Sequence, residues 1–198
     1  MKKGILMPIV AILVAAAVLL GLSVALNGVA AANAQAEHLE LMKTLSPGSE
    51  HFTVEPYDGE DTNIRSVHKG EKGFVIETVS YGYAGEINMF VGVSNEGKVT
   101  GLVVRDLSET YGLGREALTN VEFLKQFLNS SGAFEVSTSG ADAFSGATAA
   151  AEPEGDTVAV DALTGATVTS KAVVRCINSA VAYVTGADAA TAATSWGG

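Results

Sequence analysis

From Gly4 to Ala36 the chain carries no charged residue, and Gly4 to Leu26 is almost continuously apolar. As a helix that apolar stretch would rise about 35 Å, enough to cross a hydrocarbon core of about 30 Å. Lys2 and Lys3 precede it and Glu37 is the first charge beyond it. This asymmetry predicts a single-pass protein of the cytoplasmic membrane, with its N-terminus in the cytoplasm and its C-terminal domain extracytoplasmic. A cleaved leader is the rival reading, because AANAQA at 31–36 spaces small residues as a cleavage site does. A leader's apolar core is typically about 7–15 residues, however, and this run is longer. The expected organisation is an anchor over 1–33, a juxtamembrane helix over 34–50, an exported domain over 51–186 and a tail over 187–198.

Beyond the apolar run the chain carries 22 acidic residues against 10 basic ones, the 12 of the whole chain less Lys2 and Lys3. That balance argues against nucleic acid and anionic lipid as partners. The one cysteine, Cys176, falls on the apolar face of a predicted helix and cannot by itself form an internal disulfide or hold an iron–sulfur cluster. His38, His51 and His68 lack ligand spacing and read as surface residues, so no metal site is expected.

The period of the apolar pattern changes along the exported part. Residues 34–45 read as an amphipathic continuation of the first helix, ended by Pro47 and Gly48. HFTVEPY, FVIETVSY, EINMFVGVSN and KVTGLVVRDLS then read as strands, the last two joined by a turn at Asn95–Gly97. TNVEFLKQFLN (119–129) reads as a helix with Thr119 and Glu122 as a capping box and Val121, Leu124, Phe127 and Leu128 on its apolar face. Residues 130–157 have loop composition, TVAVDAL reads as one more strand, and 170–184 as a closing helix stopped by Gly186. The predicted fold is α+β: an antiparallel sheet packed with helices after one transmembrane helix.

Within this frame the pattern D-A-x-[S/T]-G-A-T occurs twice, as DAFSGAT (142–148) and DALTGAT (161–167). The second copy runs directly into the closing helix. There unsatisfied amides and the positive end of the helix dipole favour a phosphate, and Gly165 and Ala166 let it approach. Thr164, Thr167 and Thr169 bring three hydroxyls to the same stretch. The first copy is followed by AAAEPEG, in which Pro153 and the acidic residues leave no comparable seat. By local physics alone the favoured reading of TGATVTS is an ordinary helix cap, for which Ser and Thr are the usual residues.

Asp161, Thr164, Gly165, Ala166 and Thr167, continuing through VTSKAV, resemble the flavinylation motif of the FMN-binding domain family. In that family a flavin transferase joins FMN through a phosphoester to the motif's final threonine. The resemblance implies covalent FMN on Thr167, with Asp161, Thr164, Gly165, Ala166, Val168 and Thr169 around it. YGYAGEINMFVGVSNEGKVTGLVV is similar to the family's GYSG segment and following hairpin, and SETYGLG to its ETPGLG loop. Tyr111 stands where the family often has proline, and Ser108 where some members have histidine. The carry-over places Glu109, Thr110, Gly112, Leu113 and Gly114 along the flavin, and Tyr83, with Tyr81, near its ring system.

One span followed by one exported domain is similar to the G subunits of Rnf complexes, membrane assemblies that couple ferredoxin:NAD oxidoreduction to ion movement. The related C subunits of sodium-translocating NADH:quinone reductases are usually longer. The resemblance implies electron relay through FMN, with other integral subunits as partners and a flavin transferase for maturation. It implies no catalytic side chain and no turnover by this chain alone. Two further readings stay open from the residues: a stand-alone extracytoplasmic flavin carrier, and a non-redox anchored module in which TGATVTS only caps a helix.

Overall fold

A computed structural model describes residues 3–107, 118–137, 157–163 and 165–186. The chain divides into two compact units, Met1–Leu41 and Met42–Gly198. The first is made by helix α1 (Lys3–Leu45), whose last turn already belongs to the second unit. By length and composition α1 is the one helix among the described residues able to cross a membrane.

The second unit is α+β. Strands β1 (Phe52–Glu55), β2 (Ile64–Gly70), β3 (Gly73–Tyr81), β4 (Glu86–Ser94) and β5 (Val99–Leu107) form an antiparallel sheet in sequence order. Each pairs with its neighbour through a short connection, which is the low-cost way to join antiparallel strands. The β4–β5 turn falls where the sequence placed it: Gly97 has φ +81°, and Ser94 N donates to Lys98 O at 2.7 Å. Helix α2 (Val121–Lys125), strands β6 (Phe134–Ser137) and β7 (Val158–Asp161), and helix α3 (Thr167–Thr185) follow.

Helix α3 is the organising element. It lies against β3 and β4 on one side and against β6 on another. Its buried residues therefore wrap most of its circumference and are small: Ala172, Val173, Cys176, Ile177, Ala180 and Val181 among them. They meet Ile76 of β3 and Ile87, Met89, Val91 and Val93 of β4, together with Phe123, Phe127, Phe134 and Val160. Full burial of each large aliphatic side chain contributes roughly 1.5–3 kcal/mol. Gly186, at φ +70°, ends α3 in the left-handed cap that the sequence predicted, its N–H donating to Ala182 O.

Helix α2 and strands β2 and β6 differ from the sequence reading. The helix expected over 119–129 is the short α2, capped not by Thr119 but by Asn120, whose Oδ1 accepts from Phe123 N at 3.0 Å. Glu122, expected to close a capping box, pairs instead with Lys125 at 3.0 Å. The helix is consequently rotated: Val121 is 60% exposed, and Phe123 takes the core position, edge-on to Phe127. Strand β2 was not anticipated because Arg65, Ser66, His68 and Lys69 hide its alternation; His68 is half-buried there and bonds Ser66 rather than standing on the surface. Strand β6 lies within residues expected to be loop, and it pairs with β7 in parallel, Phe134 opposite Val158 and Ser137 opposite Asp161.

The face of the sheet away from α3 receives the end of α1. Gly92 and Gly101 are directly paired across β4 and β5, and a Cβ on Gly92 would strike the Leu45 carbonyl. Thr100 Oγ1 donates to that same carbonyl. Gly92→Ala must therefore displace backbone and is expected to cost about 1–3 kcal/mol, the range for overpacking. Gly101→Ala should cost less, because its nearest atom, at 2.9 Å, is the movable Leu45 Cδ2. Thermal melts of the two variants, read by circular dichroism, check the difference.

The link after α1 is fastened to the β2–β3 turn. Ser49 Oγ accepts from Lys72 N at 2.9 Å, and the Glu71 carboxylate accepts from the amides of Glu50 (3.0 Å) and His51 (3.2 Å). Glu71 is held down to about 2, chiefly by its own backbone amide; burial, the next largest effect, opposes this, and the His51 ring and the amides of His51 and Glu50 add further depression. A carboxylate whose folded pKa is depressed stabilises above its unfolded value, near 4.5, and that contribution is lost as pH falls through the folded one. The Glu50 and His51 amide resonances are thus expected to move with a midpoint near pH 2. Glu71→Gln should abolish that movement.

Candidate functional site

The second unit has two ends. At one stand the β2–β3 and β4–β5 turns and the C-terminus of α3, where Thr185 approaches Gly97. At the other stand the β3–β4 turn and the exit of β5, because Tyr81 pairs with Glu86 and Ile87 with Leu107. Helix α3 runs antiparallel to β3: the Tyr183 ring is 5.9 Å from that of Phe74 near the start of the strand, and Arg175 bonds Ser80 and Tyr81 at its end. The N-terminus of α3 therefore faces the end that carries Tyr83 and the exit towards residues 108–114.

The DALTGAT segment is built around one turn. Ala166 N donates to Leu163 O at 2.9 Å, and Gly165 has φ +78°. That left-handed conformation is one glycine adopts without steric cost. Ser170 reaches back from the first turn of α3, its Oγ accepting from Leu163 N at 3.3 Å. Its amide donates to Ala166 O at 2.8 Å, the first rung of the helical ladder. The N-cap is therefore Ala166, which makes no side-chain capping bond. Thr167 is the first helical residue, half-buried, with its amide and that of Val168 ahead of the first rung.

The predicted site residues divide accordingly. Thr167, the exposed Val168, the exposed Gly165 and the buried Ala166 come together at the helix start. Thr169 does not join them: it is 1% exposed, about 200° around the helix from Thr167, on the core side. Asp161 ends β7 with its side chain exposed. Tyr83, in the β3–β4 turn closed by Gly82 N to Gly85 O at 2.9 Å, is 77% exposed, and Tyr81 is 69% exposed. Thr164, Glu109, Thr110, Gly112, Leu113 and Gly114 lie outside the described residues, as do Ser108, Tyr111 and the first DAFSGAT copy.

Two residues that hold this segment were not anticipated. Gln126 acts as a strand mimic at the outer edge of β7: Asp161 N donates to its Oε1 at 2.9 Å, and its Nε2 donates to Asp161 O at 3.4 Å. Asn178 does the same for β6, accepting from Phe134 N and donating to Phe134 O, both at 2.9 Å. No sequence motif marks either; an amide among small residues on a buried helix was the one available signal, and it applied to Asn178 alone. Cys176 is fully buried, and burial pushes its thiol up to about 12, so it offers neither a nucleophile nor a thiolate ligand.

The model of the FMN-binding domain matches residues 82–182, from the β3–β4 turn through nearly all of α3. The chain belongs to the FMN-binding domain family. Among its relatives is the G subunit of the proton-translocating ferredoxin:NAD(+) oxidoreductase complex of Clostridium ljungdahlii, 34% identical over 122 residues. That match covers 61% of this chain and 58% of the relative's own length. The G subunit of the ion-translocating oxidoreductase complex of Methanosarcina acetivorans is 33% identical over 155 residues, 73% of either chain.

The residues of this FMN-binding domain suit a phosphate group. The start of α3 offers amides ahead of the helical ladder, its N-cap Ala166 makes no side-chain capping bond, and Gly165 keeps the approach open. The residue at the cap is Ala166 and not one of the threonines.

Proposed function

We propose that this chain is the membrane-anchored flavoprotein subunit of an Rnf-type ion-translocating complex, relaying electrons through FMN held by a phosphoester to Thr167. The observation that carries the reading is that the last residue of DALTGAT is the first residue of α3, directly after the Ala166 cap. Both relatives are G subunits of ion-translocating complexes, which supports the assignment to such an assembly. When attached, FMN supplies transfer of one or two electrons. The chain's own part is to hold it. Thr167 gives the ester oxygen, the first-turn amides of α3 face the phosphate, and the exposed Tyr81 and Tyr83 present aromatic faces at the same end. Residues 109–114 complete the flavin's surroundings in this reading. α1 remains uncleaved as the anchor and keeps the domain extracytoplasmic, where a dissociable flavin would be lost.

Chain produced with its native transferase should exceed its sequence mass by one FMN less water, and should co-purify with other integral subunits. A colourless chain of unmodified mass would overturn the flavin. A loaded chain that purifies alone would leave the stand-alone carrier.

A further inference from the structure

We infer that Arg175 is a positioning residue of the flavin end, tying the exit of β3 to α3 and so fixing Tyr81 and Tyr83 relative to Thr167. Its Nε donates to Ser80 Oγ at 3.0 Å, and its Nη2 donates to the Tyr81 carbonyl at 2.9 Å. Ser80 is buried, so one arm of the fork is anchored in the core, while the other holds the last carbonyl before the β3–β4 turn. Among the described residues the guanidinium pairs with no carboxylate. Its charge-assisted bonds are spent on a hydroxyl and a strand end, which is a geometric use of arginine rather than an ion pair.

The placement gives the tie its consequence. Arg175 lies about 12 Å along α3 from Thr167, and Ser80 lies about 10 Å along the hairpin from Tyr83. Joined at Arg175 and Ser80, the two arms extend toward the same end, one ending in the attachment hydroxyl and the other in an exposed ring. Hairpin tips are where local opening concentrates. A planar fork across two successive residues fixes both the position and the direction of the strand, which a lysine's single ammonium cannot do.

The inference rests on the flavin reading only for what the fixed rings face. Full-length chain matured with its transferase is compared as wild type, Arg175→Ala, Arg175→Lys and Ser80→Ala, in three measurements: hydrogen exchange at residues 82–85, intensity of flavin emission, and intact mass. Arg175→Ala is expected to speed exchange in the turn about tenfold, the scale of losing a charge-assisted hydrogen bond. It should also brighten the flavin by releasing the tyrosines that quench it, with the loaded mass unchanged. Arg175→Lys and Ser80→Ala should fall between it and wild type. Unaltered exchange in the turn overturns the proposal, as does an acceleration spread evenly over β3, β4 and α3, which would mark a residue of general stability. If wild type carries no flavin, the proposed function fails, while the exchange comparison still decides the role of Arg175.

Discussion

Thr167→Ala is expected to yield a folded chain with no covalent flavin, and Thr148→Ala a chain loaded as fully as wild type. The first outcome follows from bond-making: the phosphoester needs a hydroxyl oxygen, and alanine has none. The fold should barely notice. Thr167 is the first helical residue rather than the cap, so its replacement removes no capping bond, and alanine is a good helix former there. A stability change within about 0.5 kcal/mol is expected, against about 1 kcal/mol had the threonine been the cap. Thr148 precedes AAAEPEG, in which Pro153 and the acidic residues disfavour a helix start that could receive a phosphate. Intact-mass measurement and in-gel fluorescence of the two variants decide the matter. Peptide mapping of wild type needs fragment-ion sequencing, because both threonines lie in the single tryptic peptide from Gln126 to Lys171. Flavin retained by Thr167→Ala would move the attachment elsewhere.

The elements that were legible in the sequence are those whose pattern has one cause. Strands β3 and β4 and helix α3 each bury an apolar set, β5 keeps Val99 buried with Leu102 and Val104 packed against the core, and the limits of all four came out within a few residues of expectation. Where two demands share a segment, the pattern blurred. Strand β2 carries Arg65, paired with Glu86, and Lys69, paired with Glu55, so polar residues break its alternation. Over 121–128 the apolar residues Val121, Phe123, Leu124, Phe127 and Leu128 fit two helical faces, and the position of the Asn120 cap goes with the one that buries Phe123. The β6–β7 pair is long-range and parallel, and its partners are separated by residues with no strand signal of their own.

The candidate site was legible for a different reason. DALTGAT is local: a turn that requires a glycine and a helix that must start just after it can be read from adjacent residues. What holds the segment is not local. Gln126 acts on Asp161, 35 residues away, and Asn178 on Phe134, 44 residues away. A side-chain amide serving as a missing strand leaves no periodic trace, since any exposed or helical amide looks the same in sequence.

Asn178→Ala should have the largest effect on stability of any single polar substitution in the domain. Asn178 is 4% exposed, and its removal strands the N–H and C=O of Phe134 beside a side chain that is itself buried. A buried unsatisfied group costs about 1–3 kcal/mol, and two are created, so a loss of about 2–6 kcal/mol is expected. At about 2–4 °C per kcal/mol for a domain of this size, the melting temperature of the solubilised full chain should fall by about 10 °C. Gln126→Ala deletes the same pair of bonds at the exposed Asp161, where water can take over, and should cost no more than about 1 kcal/mol. The contrast isolates burial from hydrogen-bond number: equal losses would mean that the β6 edge is hydrated and that Asn178 is no more than a surface clamp. With the expected inequality, hydrogen exchange should rise first in β6 and then in β7, because β7 is paired to β6 and meets the rest of the site through the Asp161 end. The motif strand would then be held by an amide on the very helix that begins with Thr167, so the position of Thr167 and the stability of the ribbon beside it depend on one element.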